Sequence, residues 1–153
     1  MYPSLLFLHS FWRWLVLGSL LYSIFISYKG KTEKLAFSEV ANQWRHWTAT
    51  IAHIQLLLGM AMYVQSPVVM YQMMDNPNKV FNEQTFFRYF HLIMMMVAVV
   101  LITIGSAKAK RIKSDHDKYS TMLRWFGLAL AVIFVAIPWP FSPLASRPLV
   151  RGM

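Results

Sequence analysis

The sequence predicts an all-α fold: an integral membrane four-helix bundle, one domain over residues 1–153, with both termini on the outer side. Three observations carry that expectation. Hydrophobic residues make up 57% of the chain and charged residues 14%, against about 45–50% and about 25% in soluble domains. The apolar residues gather in four blocks, each near the roughly 20 residues that cross a bilayer core. The basic residues concentrate in two of the connections between those blocks, the pattern of loops that stay on the cytoplasmic side.

The first span covers about 5–27, within "LLFLHSFWRWLVLGSLLYSIFI". It lacks a basic leader and a small-residue cleavage site, so it reads as a retained helix and not a signal peptide. The second covers about 47–64 and stops at Ser66-Pro67, because proline disfavours helical geometry in the residue before it. Trp44 and Trp47 suit its cytoplasmic interface. The third covers about 86–106 and continues into the basic "SAKAKRIK", a helix extension at an anionic leaflet. The fourth covers about 122–139 and closes on "IPWPFSP", with Trp139 at the outer interface. The connection over 65–85 is long for a bundle and apolar enough to lie on the membrane or cover the bundle.

The first connection holds Lys29, Lys31, Lys34 and Arg45; the third holds Lys108, Lys110, Arg111, Lys113 and Lys118, with Arg124 just inside the next span. The other side has Lys79, Arg88, Arg147 and Arg151. Ten basic residues against four, leaving out Arg13 within a span, put both termini outside. The net charge of +9 is thereby a matter of topology, and no nucleic-acid partner is expected; the lipid bilayer is.

There are no cysteines, which excludes disulfides, thiolate metal sites, iron–sulfur clusters and covalently attached haem. No carboxylate falls inside a span, so paired acid–base chemistry and a carboxylate proton pathway are unsupported. There is no phosphate-binding glycine loop. A transporter is disfavoured because no span is broken.

Ionisable residues inside a span are costly and point to function or to a specific partner. Those here are His9 and Arg13 in the first span, His53 in the second and His91 in the third. His116, in the charged "KSDHDK", is set aside as solvated. At about 1.5 Å per residue, His9 and His91 share a level some 9 Å or less below the outer end, while His53 sits nearer the middle. Three histidines on three helices suggest bis-histidine ligation of haem b, which needs imidazoles from facing helices, an apolar slot and a cation near the propionates. Arg13 and Arg88 lie one turn from His9 and His91, and either guanidinium matches a propionate bidentately. Phe87, Phe90 and Met94 to Met96 are candidates for lining the slot, and Gly18 and Gly59 allow close approach.

Each feature also has a structural explanation. The histidines can serve as helix–helix hydrogen-bond partners, with Arg13 reaching outward to the interface. A three-histidine zinc or copper site lacks carboxylate or thiolate support. The Met94–Met96 run is more often adaptable packing than a ligand set. Gln55 points to a different face from His53 and is expected to bond across helices.

Four stretches, "LHSFWRWLVL", "AHIQLLLGMAMY", "HLIMMMVAVVLITIGSAKAKR" and "IPWPF", resemble the small four-helix bacterial membrane proteins labelled cytochrome-b-like. The resemblance covers nearly the whole chain, in order. It implies a bacterial inner membrane with periplasmic termini, and His9, Arg13, His53 and His91 as the positions of interest. Diheme cytochromes b place two histidines on each of two helices, which this chain does not, so at most one haem is implied. The expected function is electron transfer between a quinone and an outside partner. The alternative is a non-catalytic accessory or assembly subunit of a larger membrane complex, without cofactor.

Overall fold

Residues 2–70, 85–142 and 148 are described by the computed structural model, and all regular structure among them is helical. Helix α1 runs Tyr2–Thr32, α2 Glu39–Gln65 and the short α3 Pro67–Met70. A π-helical turn over Phe86–His91 leads into α4, Leu92–Arg111, and α5 is Asp115–Ala136. Four helices, over Tyr2–Thr32, Glu39–Gln65, Phe86–Arg111 and Asp115–Ala136, are long and apolar enough to cross a membrane. Most of the long connection expected over 65–85, namely 71–84, lies outside the described residues.

The helices extend further at the basic end than hydropathy indicates. Helix α2 starts at Glu39, eight residues before the expected 47, because Ser38 accepts the Ala41 amide at 3.1 Å as an N-cap. Helix α5 starts at Asp115, not at 122; Ser114 accepts the Asp117 amide at 3.4 Å, and Asp115 and Asp117 complement the helix dipole. His116 therefore sits on the first turn of a helix. Lys29 and Lys31 occupy the last turn of α1, and Lys108, Lys110 and Arg111 that of α4, where cations suit the exposed carbonyls.

Helix α1 ends with Leu35 N–H donating to Gly30 O at 2.9 Å, which places Lys34 in the left-handed region at φ 53°. Glycine usually holds that place because a Cβ there costs about 1 kcal/mol or more. Lys34→Gly is expected to stabilise the protein by about 0.5–1 kcal/mol, read as a raised midpoint of thermal unfolding in detergent.

Helix α1 packs against α2 and α5, and α4 packs against the same two, so α1 and α4 stand on a diagonal of the bundle. The pairs Tyr2 with Ser66, Trp12 with Ile51 and Ser23 with Thr48 show α1 and α2 to be antiparallel. Small residues bring the helices together, as is usual where lipid supplies no hydrophobic drive between them. At Gly105 a Cβ would collide with Trp125 Cβ on α5. Gly105→Ala must therefore part α4 from α5, at an expected cost of about 1–3 kcal/mol in detergent unfolding.

A polar seam joins α1 to α2. Ser23 and Thr48 hydroxyls are 2.8 Å apart, Thr48 donates to Ser19 O at 3.2 Å, and Ser27 donates to Ser23 O at 2.6 Å. Arg45, counted above among the loop cations, is in fact buried, with 6% exposed. Its guanidinium donates to Ser106 Oγ at 2.8 Å and Ser106 O at 3.1 Å on α4, and to Asn42 Oδ1 at 2.9 and 3.2 Å. Every group it offers has a geometry that suits a buried cation.

Candidate functional site

The fourth helix stops early at the end of the bundle where α1 begins. Pro138 forces Ile137 into an extended conformation, ψ 132°. The chain leaves α5 near the level of Trp14, whose ring lies 6.4 Å from that of Trp139. About a dozen residues of α1 lie beyond that level, some 18 Å of helix at 1.5 Å per residue. A cavity of about 270 Å³ opens there, lined by α1, α2, α4 and the end of α5. Its walls are mainly apolar, from residues such as Leu6, Met60, Met95 and Ile133.

Its polar lining comes from His9, Ser10 and Arg13 on α1, Gln55 and Tyr63 on α2, and His91 before α4. The rings of His9 and His91, reached from diagonally opposed helices, meet edge to face with centres 6.3 Å apart. Phe86 and Phe87 pack on His91 with ring centres 5.9 Å away in both cases. His91 belongs to the π-helical turn, a backbone irregularity that recurs at functional sites.

The ring nitrogens can be assigned in part. His91 Nδ1 lies 2.8 Å from Ala136 O. A carbonyl only accepts, so Nδ1 carries the proton and Nε2 keeps its lone pair. On the other side, the Gln55 amide donates to His9 O at 3.1 Å and lies 3.3 Å from His9 Nε2. That leaves His9 Nδ1 and Gln55 Oε1 buried with no hydrogen-bond partner among the described residues. Buried polar atoms are rarely left so. Gly59 makes room for the His9 ring, since a Cβ there would stand 3.2 Å from His9 Cε1. The Arg13 guanidinium carbon lies 5.3 Å from the Trp14 ring centre.

Two of the five residues singled out in the sequence sit elsewhere. His53 is exposed on the outer face of α2, with Nδ1 donating to Ala49 O at 2.6 Å and Nε2 3.2 Å from Thr103 Oγ1 on α4. Its Nδ1 bonds within α2, and only Nε2 reaches another helix. Arg88 lies outside the cavity lining, its guanidinium carbon 5.5 Å from the centre of the Tyr89 ring. Its carbonyl accepts the Tyr63 hydroxyl at 3.5 Å. Among the described residues no group of three or more His, Cys, Asp or Glu is placed to hold a metal ion, so the three-histidine zinc or copper site has no geometric basis. What hydropathy and cost did not indicate is the Ala136 carbonyl; the signal for it was Pro140, four residues on.

Only the spacing of the two imidazoles matches a bis-histidine haem. Two imidazoles on one metal, bonded at about 2 Å each, hold their ring centres about 6 Å apart, and His9 and His91 stand at 6.3 Å. The lone pair of His91 is fixed on Nε2, whereas on His9 the Nε2 faces the Gln55 amide and Nδ1 is buried without a hydrogen-bond partner among the described residues. Arg13 lines the same cavity. The volume is just below the roughly 300–1,000 Å³ of ordinary small-molecule pockets, so a macrocycle requires the lining side chains to move apart. No family model matches this chain, and no match is found among curated proteins or solved structures.

Proposed function

We propose that this chain is a membrane electron carrier that holds haem b between His9 and His91, in a bacterial inner membrane with both termini periplasmic. The observation that carries the reading is the meeting of these two imidazoles, 6.3 Å apart, at the end of the bundle where α5 stops early. When bound, haem supplies a one-electron couple whose potential is set by its axial ligands and their surroundings. His91 offers Nε2, its ring fixed by the bond to Ala136 O. His9 stands opposite, its ring admitted by Gly59 and its backbone held by Gln55. Arg13 lines the same cavity as a cation, and the remaining walls are mainly apolar. A lipid-soluble quinone is the natural partner on the membrane side. The test is an absorbance spectrum of the detergent-purified protein, expressed with haem supplied. A Soret band that shifts on dithionite reduction is expected, and a colourless protein refutes the reading.

A second reading has its own observation. Gln55 already ties α2 to His9, and His53 ties α2 toward Thr103 on α4. Histidines used only as such ties fit a non-catalytic accessory or assembly subunit. A colourless protein that co-purifies with another membrane subunit is the result this reading requires.

A further inference from the structure

An uninterrupted helix bonds each carbonyl to the amide four residues on. At the end of α5 the Ile133 carbonyl is taken in this way by Ile137 N–H at 2.9 Å. Phe134 and Ala136 face Pro138 and Pro140, which have no N–H to give. Both freed carbonyls are taken by side chains. Trp139 Nε1–H donates to Phe134 O at 2.8 Å, and His91 Nδ1–H donates to Ala136 O at 2.8 Å. The Trp139 amide turns back to Ile137 O at 2.9 Å. The segment "PWP" thus disposes of the helix end by a fixed pattern, in which one carbonyl is left for a histidine on another helix.

We propose that Pro138 and Pro140 are positioning residues for His91: they end α5 and reserve the Ala136 carbonyl for the His91 Nδ1–H, so that Nε2 is presented to the cavity. Pro138 turns Ile137 out of the helix, and Pro140 removes the one amide that a continued helix would bring to Ala136 O. The reserved carbonyl sets the tautomer through the bond to Nδ1–H, and Phe86 and Phe87 pack on the imidazole and help to hold its rotation. A carbonyl behind an axial histidine also makes the ligand more basic. That last consequence rests on the haem reading; the positioning of the ring does not.

The experiment uses the full chain in detergent, with its histidines labelled by ¹⁵N and no haem added. His91 is identified by the signals that disappear in His91→Gln. In the wild type its Nδ1 is expected to be protonated and its Nε2 not. In the double variant Pro138→Ala, Pro140→Ala that single tautomer is expected to give way to a mixture. Trp139→Phe, which removes the donor to Phe134 O and keeps an aromatic ring beside Trp14, Phe134 and Phe141, is expected to leave His91 unchanged. Pro140→Ala alone, which returns only the competing amide, is read in the same way where the double variant does not fold. A wild-type His91 protonated on Nε2, or a tautomer indifferent to the loss of the prolines, overturns the proposal. Haem titration is read separately, with affinity in the double variant expected to fall about 10–100-fold. Wild-type protein that takes up no haem while its ring nitrogens behave as described refutes haem binding and leaves the positioning of His91 intact.

Discussion

His91→Ala is expected to abolish the reduced-minus-oxidised haem spectrum, whereas His53→Ala is expected to leave it intact. The contrast follows from placement. His91 reaches the cavity with a free lone pair and a ring held by Ala136 O. His53 is on the outer face of α2, with both nitrogens bonded to Ala49 and Thr103. If haem is held as proposed, His9 and His91 would share the hold on it, and removing one of the two would leave the group much more weakly bound. Loss of the spectrum in both variants, or in neither, contradicts the assignment of His9 and His91 as the pair. Thermal unfolding of the two variants guards against a trivial cause. His53→Ala gives up two side-chain hydrogen bonds at an exposed site, each worth about 0.5–1.5 kcal/mol. Its folded fraction must therefore be checked before its spectrum is compared.

The level shared by His9 and His91 was legible in the sequence, because depth follows from rise per residue once the ends of the spans are known. The expected bond of Gln55 across helices is there, to His9, but that His53 would stay out of the cavity was not legible. His53 and Gln55 are two residues apart and point to opposite sides of the helix. Cost favoured the ionisable one, yet the amide is the one that faces α1. The periodicity offers no help, since both sides of a membrane helix are apolar. Arg88 failed for a different reason. A spacing of three residues brings two side chains together on an α-helix or a 3₁₀-helix, and Phe86–His91 is instead a π-helical turn. The early starts of α2 and α5 were written in the sequence as Ser38 and as "SDHD" from Ser114, the pattern of a capping serine followed three residues later by an acid in the second case. Hydropathy hides them because these first turns lie among the charged residues.

Tyr119→Ala is expected to cost about 3–5 kcal/mol, the range for deleting a buried aromatic ring. That is a large part of the roughly 5–15 kcal/mol that holds a typical domain folded. Tyr119 is only 2% exposed and fastens three elements at the basic end of the bundle. Its ring lies against Gly30 on α1, and against Phe37 with ring centres 4.9 Å apart. Its hydroxyl donates to Ala36 O at 3.1 Å and accepts the Ser38 amide at 3.2 Å, just where Ser38 caps α2. Tyr119→Phe keeps the ring and is expected to cost about 1 kcal/mol, the value of an ordinary hydrogen bond. Both are read as unfolding midpoints in detergent, and equal losses in the two variants would mean that the ring contributes nothing. The cavity is at the other end, where α5 has already stopped. Haem affinity of the folded fraction is therefore expected to be unchanged in Tyr119→Phe. The bundle is tied tightly where its connections are short and capped, and opens where two prolines end a helix early; the opening is what gives His9 and His91 a space to share.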